Sequence, residues 1–167
     1  ISREQIIETL LSSGAWPFIR QKPFDVIANP DDIPKAIFIS TFNTAPLAAD
    51  NDFVLHGMAK EFQTGLDYVT KLTEGTVHLN IDGNTNPSKV FTDAKGVQIN
   101  KFSGLHPAGN VGIQIHHIAP LTSGEFVWIV NAQDVVRIGH FFLTGEFDTR
   151  LMIAIGGPSI VNPCHIK

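Results

Sequence analysis

Short apolar runs alternate with longer amphipathic stretches along most of the chain, and this alternation restricts the fold more than any single motif. Ala36-Ile-Phe-Ile-Ser40 is bounded by Pro34 and polar residues, which suits a buried strand. A helical stretch runs from about Asp52 to Leu72 and places Phe53, Phe62, Leu66, Val69 and Leu72 on one side. Gly57 is the point where it divides, because glycine weakens a helix interior. After Gly75, Thr76-Val-His-Leu-Asn-Ile81 alternates as a strand, and a short helical patch near Ser88 to Asp93 precedes a strand from Val97 to Phe102. Gly109 to Ile118 reads as a helix ended by Pro120, and Phe126-Val-Trp-Ile-Val130 as a strand leading directly into Asn131. Asn131 then caps a helix with Val135, Ile138 and Phe142 facing in, which Gly145 ends. Strand and helix in turn, with short connections, predict a mostly parallel sheet with helices on both faces, a Rossmann-like α/β architecture.

Both ends carry further signals. Ser2 and Gln5 make a capping-box pattern ahead of Ile6, Ile7, Leu10 and Leu11, so a helix starts almost at the first residue. Near the other end, Leu151-Met-Ile-Ala-Ile155 reads as a strand, followed by the turn Gly156-Gly157-Pro158. A lone strand is rarely stable without partners. With neither an initiator Met nor a signal-peptide pattern, the chain reads as a piece of a longer protein. Residues 1–146 are expected to form the α/β domain, and 147–167 to open a second one.

Composition removes several function classes. Hydrophobic residues at 43% against 17% charged are enough for a core, so the 167 residues read as globular. A formal net charge of −4, with no basic run beyond Arg20-Gln21-Lys22, argues against nucleic acid, whose phosphates need a basic face. No apolar stretch reaches the roughly 18 residues that a membrane span requires. The single cysteine, Cys164, excludes an internal disulfide and any cysteine-ligated cluster built from this chain alone.

In a parallel sheet, ligands are expected at the carboxyl ends of the strands. The loop after the first such strand, Thr41 to Asp50, contains no glycine, whereas a dinucleotide fingerprint needs glycines for backbone approach to the pyrophosphate. Ser103 to Gly112 does carry Gly104, Gly109 and Gly112, without the Lys-Ser/Thr of a P-loop. These glycines are a weak phosphate candidate; a structural turn that starts the following helix near Asn110 is the plainer reading. His106, His116, His117 and His140 raise the question of a metal, but no H-E-x-x-H is present, and His116 and His117 point about 100° apart on a helix. Asp134 has no compelling spacing to complete such a site, and the histidines are read as polar groups at helix edges. There is no G-x-S-x-G elbow, and Ser103-Gly104 beside His106 does not make a triad.

Five segments in order carry a resemblance. They are Ser13-Gly-Ala-Trp-Pro-Phe-Ile-Arg-Gln-Lys-Pro-Phe-Asp25, Pro46-Leu-Ala-Ala-Asp50, Phe102-Ser-Gly-Leu-His-Pro-Ala-Gly109 with His116, Asn131-Ala-Gln-Asp-Val-Val-Arg-Ile-Gly139, and Gly156-Gly-Pro158 with Asn162-Pro163. Each is unspecific alone. Together they span nearly the whole chain, which resembles the A subunit of the sodium-translocating NADH:quinone reductases, with Leu105 standing where proline is usual.

That resemblance implies a relation in fold to the flavin-carrying subunit of respiratory complex I and to the C subunit of the Rnf complex. In those relatives a glycine-rich segment after the first helix and an acid-bearing loop after the first strand hold flavin and NADH. Here Trp16-Pro-Phe18 and Asn43-Thr-Ala-Pro46 stand at the corresponding places, so bulky side chains fill the room that glycine leaves. The expectation is therefore a vestigial pocket, with no cofactor bound by this piece; NADH, flavins, an iron–sulfur centre and quinone would be used elsewhere in the complex. The resemblance further implies a peripheral subunit on the cytoplasmic face of the bacterial inner membrane, with the other subunits as partners. Residues from Arg150 would begin a β-grasp domain. Trp16, Phe18, Arg20, Lys22 and Phe24 are the candidates for docking and for a quinone site. Pro17 and Pro23 mark their segment as an extended loop, in which alternating aromatic and basic side chains give one apolar and one cationic edge. A flavin- or NADH-binding enzyme and a purely structural assembly module are the other two readings.

Overall fold

A computed structural model describes residues 1–166. Its centre is a six-stranded mixed sheet in the order β2-β1-β6-β3-β4-β5. The strands are β1 (Ile19–Lys22), β2 (Val26–Ile27), β3 (Ala36–Ser40), β4 (Thr76–Asp82), β5 (Gln98–Phe102) and β6 (Val127–Val130). β6, β3, β4 and β5 run parallel, while β1 lies antiparallel to β6, with Ile19 opposite Val130, and forms a hairpin with β2. The α/β reading of the sequence holds, with an antiparallel hairpin added at one edge.

Helices cover both faces unequally. On one face, α1 (Arg3–Ser13), α3 (Ala59–Val69) and α6 (Ala132–Thr144) pack Ile6, Leu10, Phe62, Leu66, Val135 and Ile138 against Ile37, Ile39, Leu79 and Trp128 of the sheet. On the other, α5 (Val111–Ile118) contributes Ile115 to a small cluster with Phe38 and Val127. The expected caps are present: Ser2 and Gln5 close a full capping box on α1, and Gly145 ends α6 in the left-handed conformation. Ser88 caps the short α4 (Lys89–Thr92), whose Val90 and Phe91 are buried.

Three local expectations are corrected. The stretch from Asp52 divides at Gly57 as expected, where a φ of +78° suits glycine, into α2 (Asn51–Val54) and α3, but Phe53 does not share the inward side of α3. The break shifts the helical phase, so Val54 and Leu55 are buried while Phe53 is 61% exposed and sits against the His165 ring. The segment with Pro17 and Pro23 is not an extended loop: Trp16–Phe18 is a 3₁₀ turn and β1 follows. The two prolines flank the strand and leave its own four N–H groups free to pair, so they bound the strand without excluding it. Finally, the terminal strand is shorter and is not alone. β7 (Ile153–Ile155) pairs antiparallel with β8 (Cys164–Ile166) across the chain reversal that Gly156-Gly157-Pro158 begins.

Candidate functional site

From β3 the sheet grows to β4 and β5 on one side, and the chain then returns to place β6 on the other. The strand order therefore reverses between β3 and β6, and a crevice opens at the carboxyl ends of strands at such a point. A cleft of about 710 Å³ lies there. Ser40 and Phe42 reach it from the end of β3, Gly109 and Asn110 from the turn before α5, and Asn131 to Asp134 from the first turn of α6.

Polar side chains buried under the cleft fix the distance between its walls. Gln114 of α5, fully buried, donates from Nε2 to Ser40 Oγ and to the Ala108 carbonyl, both at 3.1 Å, and accepts from Asn80 Nδ2 at 2.9 Å. Asn100 extends the set, donating to Asn80 Oδ1 at 2.9 Å and contacting His78 Nδ1 at 3.3 Å. Burial lowers the His78 pKa, which keeps the imidazole neutral and able to accept that bond. The loop after β3 and the turn before α5 thus rest on one satisfied network.

The glycine turn is closed in on itself. A Cβ at Gly109 would collide with the backbone of Asn43 and Thr44, so the two loops touch there. Gly109 N–H donates to Thr44 Oγ1 at 3.0 Å and Gly112 N–H to Asn110 Oδ1 at 2.8 Å. Two amides that a phosphate would need are therefore taken by side chains. Gly104, at φ +148°, lies on the exposed part of the turn. His106 Nδ1 is 3.1 Å from Thr44 Oγ1 at the rim, and His116 and His117 are both exposed on α5.

On the α6 side the arrangement is ionic. Asn131 precedes the helix as expected, but its side chain does not cap the backbone; Nδ2 donates instead to Asp134 Oδ2 at 3.1 Å. Arg137 Nη1 bonds the other oxygen, Oδ1, at 2.8 Å, in a largely buried ion pair. The guanidinium also lies over the Phe18 ring, 4.1 Å from its centre, and donates from Nε to the Asp148 carbonyl at 2.9 Å. Phe18 in turn stacks on Phe147. Asn131, Asp134 and Arg137 were legible as an i, i+3, i+6 stripe opening a helix at a strand's carboxyl end, a signal that the spacing argument for metals passed over.

Burial holds the Asp134 carboxyl above its ordinary range, against the opposing bonds from Asn131 and Arg137. The folded chain therefore binds this proton more tightly than the unfolded one. The stability it contributes is fully present below the unfolded value of about 3.9 and is lost as pH rises through the raised one. Asp134→Asn is expected to flatten the urea-measured stability curve in that window; a slope identical to that of the parent would contradict this assignment.

The five docking candidates separate. Phe18 and Lys22 line the cleft, with Lys22 Nζ 3.3 Å from Asp25 Oδ1. Trp16 is buried beneath, its Nε1 donating to the Ala28 carbonyl at 2.7 Å and its ring set edge-on to Trp128. Arg20 donates to the Asp25 carbonyl and lies 3.6 Å from its carboxylate, and Phe24 stands 81% exposed at the tip of the β1–β2 hairpin.

The family model described as the NqrA second alpha/beta domain matches residues 1–147. The chain belongs to that family. It is 37% identical over 167 residues to the A subunit of the Na(+)-translocating NADH-quinone reductase of Histophilus somni, covering all of this chain and 37% of that protein. The corresponding subunits of Photorhabdus laumondii and Rhodopirellula baltica are 39% and 38% identical, again over the whole chain and over 37% and 36% of their own lengths. The chain thus spans a little over a third of the curated relatives it matches. As an NqrA second domain, it contains the β3–β6 cleft and the Asp134–Arg137 pair almost entirely within the matched residues, Leu151 at the cleft edge being the exception. Among the described residues, no helix is long and apolar enough to cross a membrane.

Proposed function

We propose that this chain serves as the second α/β domain of the NqrA subunit in a Na⁺-translocating NADH:quinone reductase. In that role it docks other subunits on the cytoplasmic face of the bacterial inner membrane and receives a quinone ring in the β3–β6 cleft. The observation that carries the reading is the chemistry of that cleft. Phe42 supplies an aromatic face, Phe18 lines the cleft with its ring held by Arg137 and Phe147, Lys22 supplies a donor, and the Asp134 carboxylate is already satisfied by Asn131 and Arg137. A flat ring edged by carbonyl oxygens needs such a combination of faces and donors. The exposed Phe24, beside the short edge strand β2, is the docking anchor in this reading.

The domain holds no flavin of its own in this proposal. Trp16 and Phe18 stand where the resemblance implies glycines in the flavin-carrying relatives, and the Gly109 and Gly112 amides are already bonded. Two measurements test the proposal. In the assembled reductase, Lys22→Met is expected to raise the quinone KM about fivefold or more, the loss of one charged donor, while NADH oxidation with an artificial acceptor is unchanged. An unaltered quinone KM would remove the ring from this cleft. The purified chain is expected to be colourless; stoichiometric flavin in its visible spectrum would instead make it a flavin carrier.

A further inference from the structure

The buried network under the cleft has a direction, and its two ends dictate it. The Ala108 carbonyl can only accept, so Gln114 must turn Nε2 toward it, at 3.1 Å, with Ser40 Oγ at the same distance. Gln114 Oε1 is thereby left for Asn80 Nδ2, and Asn80 Oδ1 for Asn100 Nδ2, both at 2.9 Å. Asn100 Nδ2 also faces His78 Nδ1 at 3.3 Å, while its Oδ1 takes a bond from Gln98 Nε2 at 3.2 Å. The amides in series therefore admit one state of the ring, with Nδ1 bare and accepting and the proton on Nε2. His78 and Asn80 share a face of β4, about 7 Å apart along the strand. The ring is 5% exposed and stacks on Phe38 of β3, with 4.7 Å between centres. Around it, β5 brings the neutral Gln98 and Asn100, and α5 brings His116 and His117 as its titratable groups, both exposed. On β4 itself the nearest charged side chain is Asp82, bonded to the Asn84 amide. Burial pushes the ring's pKa down.

We propose that His78 is a proton-operated latch on the cleft: a proton taken from water onto Nδ1 reverses the amides in series and releases the Ala108 carbonyl. An N–H on Nδ1 meets Asn100 Nδ2 donor to donor. Turning Asn100 brings its Oδ1 to the imidazolium, which obliges Asn80 and then Gln114 to turn in reply. Ser40 can follow, because a hydroxyl both donates and accepts, but it then gives up the Phe42 carbonyl that it holds at 3.0 Å. The Ala108 carbonyl cannot follow. Gln114 Oε1 turned toward it sets acceptor against acceptor, so the loop after β3 and the turn before α5 both lose a tie to the floor. Those two segments carry Phe42, Gly109 and Asn110 into the cleft. The latch is closed at neutral pH and opens as pH falls through a value below the ordinary histidine value of about 6.5. It involves no ligand and stands whether or not a quinone occupies the cleft.

Proton–nitrogen NMR of the chain between about pH 8 and about pH 5 tests this, following the His78 ring, the Gln114 side-chain amide and the Gly109 backbone amide. Every sample carries His106→Gln, because the His106 imidazole touches Thr44 on the same side of the cleft and would be a second titrating group beside Gly109. The Gln114 and Gly109 signals are expected to move with the ring at one shared midpoint below about 6.5. The hydrogen-exchange protection of Gly109 is expected to fall about fivefold or more on the acid side. His78→Gln presents a permanent acceptor to Asn100 and abolishes the response. Asn80→Leu cuts the series, so the ring still titrates while Gln114 and Gly109 stay still. The proposal is overturned by a ring that stays neutral until the chain unfolds, or by one that titrates without moving Gln114. A Gln114 response that survives His78→Gln or Asn80→Leu overturns it equally. Should either variant fail to fold, the reference series decides alone, since separate midpoints for the ring and the Gln114 amide sink the latch.

Discussion

Gly139→Ala is expected to lower the stability of the chain by about 3 kcal/mol or more, and Gly139→Val to leave little folded protein. The cause is a backbone contact between α3 and α6. A Cβ at Gly139 would collide with the Glu61 carbonyl and stand 2.7 Å from Gly65 N, while one at Gly65 would strike the Val135 carbonyl and lie 2.8 Å from Val135 Cγ1. The carbonyls in the way belong to the helix backbones and cannot swing aside as a side chain could. The two glycines let the helices close on each other, and α6 in turn presents Asn131, Asp134 and Arg137 to the cleft. Gly96→Ala provides the contrast: its φ is +77° but nothing lies near, so only the left-handed backbone is penalised, by about 1 kcal/mol. Urea unfolding followed by circular dichroism measures both. Equal losses at Gly96 and Gly139 would mean that the helices do not touch where described.

Trp16→Ala is expected to cost about 3–5 kcal/mol in the isolated chain, whereas Phe24→Ala, two positions past the end of β1, should change stability by less than about 0.5 kcal/mol. Trp16 is almost fully buried, packs edge-on against Trp128, and satisfies the Ala28 carbonyl. Truncation leaves both a cavity and an unpaired acceptor. Phe24 has most of its ring in water and little to lose. Its effect belongs to assembly, where truncating a central anchor costs about 2 kcal/mol or more. Urea melts of the two variants, with recovery of each in complex with the other subunits, separate the roles. A Phe24→Ala chain that assembles at parental affinity rules out docking through the hairpin tip. A Trp16→Ala chain that melts like the parent would show that the ring is not part of the core.

Much of the architecture was legible because it depends on local periodicity. The runs Ala36–Ser40 and Thr76–Asp82 alternate with helices whose inward residues, such as Phe62, Leu66, Val135 and Ile138, recur at helical spacing; caps at Ser2 and Gly145 mark where helices begin and end. Phe53 was misplaced because a single left-handed residue, Gly57, reset the helical phase, and periodicity carries no information across such a break. The strand β1 was missed because Pro17 and Pro23 read as loop markers, and its longer pairing, with β6, joins residues more than a hundred apart; Ile19 and Val130 meet only through the fold. The same holds for the terminal hairpin, where the turn was visible but the register between β7 and β8 was not.

The candidate site divides along the same line. The sequence by itself determined the α/β class, the strand ends at which a cleft opens, the absence of a dinucleotide glycine fingerprint after β3, and, through five ordered segments, the resemblance that family membership bears out. Only the tertiary structure decided which members of the aromatic and basic segment share a surface: Phe18 and Lys22 at the cleft, Trp16 in the core, Phe24 at the hairpin tip. It alone joined Phe18 to Arg137 and Arg137 to the Asp148 carbonyl, groups that the order of residues does not bring together. Periodicity and capping arise between neighbours a few bonds apart, so they are written in the order of residues. A cleft arises where β3, β6, α5 and the segment after α6 converge, and that meeting is set by how the helices and sheet bury their apolar faces together.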